Sequence, residues 1–173
     1  MSLLNDKDIL EKSSEYCSEI LKLLVEECSR DLDSYVDQIR DNFTNIAIVD
    51  DSTLDNIILN IPLLIYYTNA KLERLGLKDD LSTIERKKKL RDFFDSLDSD
   101  IIKNKSERLQ ISELNTTDAE ILSNIYTRAY KTVKSNIDTA YELLASCKKI
   151  MSRRIEQLKV LNSDTCRQQN PYT

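Results

Sequence analysis

The residues best suited to chemistry are five cations within residues 84–91, which read I-E-R-K-K-K-L-R. No acidic residue lies between Arg86 and Arg91, so like charges repel one another at the helical spacings of three and four residues. An anion bound along this segment would relieve the repulsion. The sequence therefore predicts an anion site there and just downstream, with the candidate residues Arg86, Lys87, Lys88, Lys89, Arg91, Lys103 and Lys105.

A solvated helix face is the competing interpretation of the same charge run.

Catalysis is disfavoured, because the chain has no histidine and no glycine-rich phosphate loop. Four cysteines lack the paired spacing of a zinc site, which favours reduced thiols in a cytosolic protein. We therefore expect no enzyme, no metal and no cofactor. The cysteines are Cys17, Cys28, Cys147 and Cys166.

Composition predicts an all-α protein. The 173 residues include one Gly and two Pro, too few for the turns of a β-rich chain, and 32% are charged. The sequence lacks a run of about 18 apolar residues, so no membrane span is predicted. The first residues lack the layout of a signal peptide. Charge is uneven: residues 1–56 hold 5 basic and 14 acidic residues, against 20 and 16 in the rest. This favours an acidic arm on a basic body.

The first predicted helix covers residues 6–44, where apolar residues recur in steps of three and four. It is either one long helix or a helix bent near residues 29–33. Residues 45–50 form a short, apolar and β-branched segment. It favours an extended connector, since one strand cannot pair alone, unless subunits exchange it as a strand.

A nearly all-apolar helix is predicted over residues 53–75, with caps available in residues 51–53. We expect it to be buried, with Tyr66 and Tyr67 as core tyrosines whose hydroxyls reach the rim. Pro62 predicts either a kink or a new helix start. A break follows at Gly76, and a basic helix over residues 82–98 opens with a capping box from Ser82 to Glu85.

Residues 99–118 are polar and aperiodic, which predicts a helix end and then a loop. The last helix is predicted over residues 118–161, with an apolar stripe that no Gly or Pro interrupts. Such stripes favour long antiparallel helices in a bundle, assembled through coiled-coil-like contacts. The predicted organisation is an acidic helical arm at 1–45, a helical core at 46–161 and a flexible tail at 162–173.

The order of these elements resembles the phage recombination mediator family, the UvsY-like proteins, over roughly residues 48–159. The shared features are V-D-D-S-T-L at 49–54, L-I-Y-Y at 64–67, the basic segment at 84–90, D-F-F at 92–94 and Y-E-L-L-A-S-C-K-K-I-M-S-R-R at 141–154. Lys88 falls on a basic position of the family. The next such position falls on Leu90, so Lys89 or Arg91 would take its role, and the acidic helix at 1–45 is additional to the family core.

This resemblance implies a single-stranded DNA-binding mediator that helps to load a RecA-like recombinase onto DNA coated by a single-strand binding protein. It also implies an all-helical homo-oligomeric ring, DNA contacts on the basic helix, and a place in the cytoplasm of an infected bacterial cell.

Two other functions are compatible with the sequence. One is a structural protein of the virion or its scaffold, with no nucleic-acid site, because two helical stripes are unusually long. The other is an inhibitor whose acidic arm imitates a nucleic acid and occupies a host protein.

Overall fold

The protein is all-α. The computed structural model describes the backbone of residues 3–42, 49–98 and 102–168, and the side chains of residues 11–41, 49–98 and 102–161. Four helices lie in these ranges, and no strand does. They are α1 (Leu3–Asn42), α2 (Asp51–Ser96), α3 (Lys105–Asn115) and α4 (Thr117–Gln168). The predicted fold class of long helices in a bundle is confirmed.

The chain divides into two compact units, and the longer helices contribute to both. The first unit comprises Met1–Arg30 and Thr68–Ser135. There α2 and α4 run antiparallel. From one facing pair to the next, the residue number rises on α2 and falls by the same step on α4. Hydrogen bonds or ion pairs join Asp79 to Thr127, Thr83 to Ser123, and Arg86 to Glu120. The buried apolar residues of this unit include Cys28, Leu72, Leu75, Ile125, Ala129 and Val133.

The second unit comprises Asp31–Tyr67 and Asn136–Thr173. Its core contains the buried residues Leu32, Ile39, Leu54, Ile57, Ile61, Ile65, Ile137, Ala140, Leu144 and Cys147. Asn136 donates a 3.0 Å hydrogen bond to Oδ1 of Asp33, which joins α4 to α1. Arg154 lies 2.6 Å from Oδ1 of Asp51 at the start of α2, so α4 also runs antiparallel to α2 in this unit.

Helix α2 continues through both residues that were expected to interrupt it, so the predicted break at Gly76 is wrong. A Cβ on Gly76 would lie 3.2 Å from Cε2 of Tyr130, which indicates that glycine here permits a close approach rather than a turn. The predicted capping box at Ser82 is wrong as well. The Ser82 hydroxyl donates to the carbonyl of Asp79 at 2.8 Å within the helix. Pro62 also lies inside α2, so it does not start a new helix.

The start of α2 is capped by Asp50, one residue before the predicted caps. Oδ1 of Asp50 accepts a hydrogen bond from the amide of Thr53 at 2.6 Å, and the carbonyl of Asp50 accepts one from the amide of Leu54. This is the geometry of an N-cap, in which a side chain satisfies an amide that has no partner within the helix.

A helix occupies most of the stretch predicted as a loop at residues 99–118, so that prediction is wrong. Asn104 caps α3 by accepting from the amide of Ser106 at 3.0 Å. Arg108 attaches α3 to the end of α2: its guanidinium lies 4.4 Å from the centroid of the Phe94 ring and donates to the Phe94 carbonyl. The residues of α3 are mostly good helix formers, and the contact with Phe94 fixes this short helix against the end of α2.

Burial of the first half of α2 differs from the prediction. One side of the helix is buried, but the outer side exposes Leu59, Leu63, Tyr66 and Tyr67. The expectation that this helix is wholly buried, with core tyrosines, is therefore wrong. A single helix can turn only part of its circumference toward its neighbours, so an all-round apolar sequence leaves a face uncovered.

Other boundaries can be compared with the sequence. Helix α1 is continuous from Leu3 to Asn42, without an interruption near residues 29–33. The connector predicted at 45–50 lies mostly outside the described residues, as do residues 99–101. Helix α4 continues to Gln168, past the predicted end at residue 161.

Candidate nucleic-acid interface

Three cations of the predicted site project from one outward face of α2. Lys87 and Arg91 are one helical turn apart, and Lys88 lies three residues before Arg91, which places all three on one side of the helix. All three are exposed, and none has an ion pair within the described part of the chain. Their charges are therefore not compensated by short contacts. We refer to Lys87, Lys88 and Arg91 as the basic triplet.

The remaining two cations of the cluster are already paired. Nη1 of Arg86 lies 3.5 Å from Oε1 of Glu120 on α4, and Nζ of Lys89 lies 3.0 Å from Oε1 of Glu85, one turn earlier on α2. Arg86 is half-buried, because its position faces α4 rather than solvent. The structure thus divides the predicted cluster into a paired part and an unpaired part.

Lys103 and Lys105 lie on a different segment from the basic triplet. Both side chains are exposed, and Lys105 is the first residue of α3. A cation at a helix N-terminus is unfavourable, because the helix dipole is positive there. Neither lysine has an ion pair among the described residues. They remain candidates for anion binding, on an element that the Arg108–Phe94 contact attaches to α2.

A cleft of about 460 Å³ lies beside the basic cluster, where α2 ends and α3 meets α4. Lys89 lines it together with two carboxylates, Asp92 and Asp118. Because acids surround its single lysine, the cleft does not attract a phosphate. An anion would instead meet the outward face of α2.

A second group of cations was not singled out in the sequence. Lys71, Arg74 and Lys78 recur at spacings of three and four on α2, and they line a cleft of about 320 Å³ with Leu24 and the buried Cys28, among others. The spacing is visible in the sequence, but Glu73 between these cations makes the cluster less conspicuous. Glu27 also lines this cleft, so the positive charge of the three cations is partly compensated.

Aromatic stacking platforms are a common component of single-strand binders. Phe93 and Tyr126 are aromatic residues of the first unit, and both are half-buried. Neither presents a freely exposed ring beside the basic triplet. An anion at this site would therefore be held by charge rather than by stacking.

The buried thiols do not add a reactive site. Burial raises the pKa of Cys28, with Glu27 acting in the same direction and Lys71 and Lys78 opposing it. Burial likewise raises the pKa of Cys147. A raised pKa lowers the thiolate fraction, and the thiolate is the nucleophile and metal ligand. Within the described ranges, no three residues among His, Cys, Asp and Glu are grouped to hold a metal.

Among the described residues, no helix is both long enough and apolar enough to span a membrane. No protein-family model, curated protein or solved structure matches the chain. The resemblance to the phage recombination mediators therefore stays a prediction based on the quoted segments.

Proposed function

We propose that this protein binds single-stranded DNA through the outward face of α2 and acts as a recombination mediator. The observation that carries the proposal is the basic triplet: three exposed cations on one helix face, none of them with an ion pair in the described residues. Cations left without carboxylates on a chain of net charge −5 are best explained by an anionic partner.

The proposed partner is a single strand rather than a duplex. The triplet extends over the five residues from Lys87 to Arg91, which are four helical steps of 1.5 Å, or about 6 Å. This length matches two or three phosphates of one strand. The acidic balance of the whole chain opposes the dense charge of a duplex. No covalent step is involved. The cations neutralise phosphates of the DNA backbone and release the counterions that were bound to them.

The mediator role rests on the resemblance in the sequence. In this role the protein would bring a RecA-like recombinase to DNA coated by a single-strand binding protein. A homo-oligomeric ring would present several basic triplets to one strand, so that weak contacts add through effective concentration. The assay that tests this role is recombinase loading on coated single-stranded DNA, with and without the protein.

DNA binding itself is tested with two variants of equal charge. One is Lys87→Gln/Lys88→Gln/Arg91→Gln. The control is Arg128→Gln/Lys131→Gln/Lys134→Gln, which removes three exposed cations from α4. Each is titrated against labelled oligo-dT by fluorescence anisotropy at low and moderate salt.

We expect the triplet variant to lose most of its affinity and to lower the slope of log K against log salt by about 2, since each single-strand phosphate contact contributes about 0.7. The control should change affinity by less than about twofold. Absence of binding by the unmodified protein at low salt, or equal losses in both variants, would refute the proposal.

A structural role without a nucleic-acid site is the second candidate, and one observation favours it. The outer side of α2 in the second unit exposes large apolar residues that suit protein assembly. Quantitative presence of the protein in purified particles would support this alternative.

A further inference from the structure

Four large apolar side chains stand in solvent on the outer side of α2 in the second unit. Leu59, Leu63, Tyr66 and Tyr67 are 72%, 51%, 70% and 57% exposed. Spacings of four and three place Leu59, Leu63 and Tyr66 in one line along the helix. The two tyrosine rings meet edge to face, with centroids 5.6 Å apart. We call these four residues the apolar patch.

The patch is larger than singly scattered apolar residues on a protein surface. At the observed exposures, two tyrosines and two leucines present on the order of 450 Å² to water. The largest apolar patches of monomeric proteins lie in this range, and they commonly mark interaction sites. The opposite side of the same stretch already covers the core with Leu54, Ile57, Ile61 and Ile65, so α2 cannot rotate to bury the patch without exposing these four.

Charge restricts what can cover the patch. Between Asp55 and Lys71, α2 carries no charged residue, although 32% of the chain is charged. A charged partner would lose hydration there without meeting a counter-charge, which is unfavourable. The absence of cations disfavours a nucleic acid at this face, and the complementary surface is an uncharged, apolar helix face.

We propose that the occupant is a second copy of this chain, which brings the same patch. Its exposed neutral neighbours Asn56, Asn60 and Pro62 enlarge the contact toward the roughly 800 Å² that each partner buries in a standard interface. The same patch on both copies makes a two-fold, isologous contact. The patch itself belongs to the second unit, and the basic triplet belongs to the first.

An antiparallel pairing fits the spacing of the patch. With the two-fold axis between Leu63 and Tyr66, each Leu63 packs on the Tyr66 ring of the other copy. The same register sets Leu59 opposite the exposed Ala70 of the other copy, which continues the apolar contact. A parallel pairing would instead place Tyr66 against Tyr66 and Leu63 against Leu63. The tyrosine pair needs a wider gap between the two helices than the leucine pair, so the two pairs do not fit one interhelical distance.

The test compares the mass of three proteins by light scattering across a concentration series: the unmodified chain, Leu63→Glu and Leu77→Glu. Leu77 is the matched control, because it is a leucine on the same helix, outside the patch, and is more exposed than Leu63, at 64% against 51%. Leu63→Ala is the milder variant, and far-UV circular dichroism checks that each variant keeps its helices.

We expect the unmodified chain and Leu77→Glu to form dimers or multiples of dimers. Leu63→Glu should raise the dissociation constant at least about 100-fold, and Leu63→Ala about 10-fold. A monomeric unmodified chain, or equal dissociation by Leu63→Glu and Leu77→Glu, would overturn the proposal. The triplet variant, in contrast, should lose DNA binding and keep its mass, so failure of one proposal is distinguishable from failure of the other.

Discussion

The hydroxyl of Thr127 on α4 donates a 2.6 Å hydrogen bond to Oδ1 of Asp79 on α2. Both side chains are half-buried, and the bond is one of the facing pairs that hold α2 antiparallel to α4 in the first unit. Thr127→Val keeps the shape and removes the donor, which leaves the Asp79 carboxylate without this partner. We expect the free energy of unfolding to fall by about 1.5–3 kcal/mol, measured by urea denaturation. Thr132→Val is the control, since Thr132 is exposed and bonds only to Arg128 of its own helix. An equal loss in both variants would contradict this interpretation.

The docking of α3 depends on Arg108. Its guanidinium stacks on Phe94 and donates to the Phe94 carbonyl at 2.8 Å, while its buried Nε has no partner among the described atoms. Arg108→Ala removes both contacts, and we expect a loss of about 1–2 kcal/mol in urea denaturation. Arg108→Lys keeps the charge but not the planar fork, so it should recover less than half of that loss. Arg128→Ala is the control at an exposed position and should have little effect. Full recovery of the unfolding free energy by Arg108→Lys would show that charge alone matters.

Gly76 tests the close approach of α2 to α4. It has no positive φ, so alanine fits its backbone and should add about 0.5–1 kcal/mol of helix stability. Its Cβ would lie 3.2 Å from the half-buried Tyr130 ring, which must shift by a few tenths of an ångström. We expect Gly76→Ala to stabilise the Tyr130→Ala background more than the unmodified chain. A double-mutant cycle of unfolding free energies measures the difference, and equal effects in both backgrounds would show that the ring exerts no steric cost.

The cap at Asp50 predicts a pH dependence. The hydrogen bonds from Thr53, with a smaller contribution from the charge of Arg154, hold the pKa of Asp50 below its ordinary value of 3.8. Because the folded-state pKa is lowered, the stabilisation is present above pH 3.8 and is lost as the pH falls through the lowered value. The thermal midpoint of Asp50→Ala should therefore lie below that of the unmodified chain at neutral pH, and the two should converge on acidification.

Two variants serve as controls for this prediction. Asp50→Asn keeps a capping oxygen without the charge, so it should fall between the other two. Asp138→Ala removes an exposed carboxylate from the middle of α4 and should leave the midpoint nearly unchanged. A gap between Asp50→Ala and the unmodified chain that persists well below pH 3.8 would assign the effect to something other than the ionised cap.

Arg86 and Arg91 offer a direct comparison of paired and unpaired cations on one helix. Arg86 is half-buried against Glu120, and Arg91 is exposed without an ion pair in the described residues. If α2 binds single-stranded DNA as proposed, Arg91→Gln should lower the affinity for oligo-dT roughly 3- to 10-fold at low salt, and Arg86→Gln less than about twofold. Similar losses in both variants would count against the outward face as the binding surface.

The sequence by itself determined the helical class and most of the long elements. Scarcity of Gly and Pro, together with steps of three and four between apolar residues, predicted α1 and α4, since these patterns act within one helix. The same local logic placed the basic cluster on α2. It could not separate Arg86 from the basic triplet, because the partner of Arg86 is Glu120 on α4. The pairing of Lys89 with Glu85, in contrast, follows the local spacing of four residues within α2.

Only the tertiary structure decided where α2 stays continuous, whether α3 forms and which apolar residues stay exposed. Gly76 predicts a break from local propensity, yet α2 passes through it, and the Tyr130 ring packs close to the glycine. Residues 105–115 lack a clear period, and Arg108 on Phe94 attaches them to α2. Leu63 and Tyr66 look like core residues in the sequence, but a helix has one buried side, and Ile61 and Ile65 already occupy it. Burial depends on neighbours that are distant in the chain, and no local pattern contains that information.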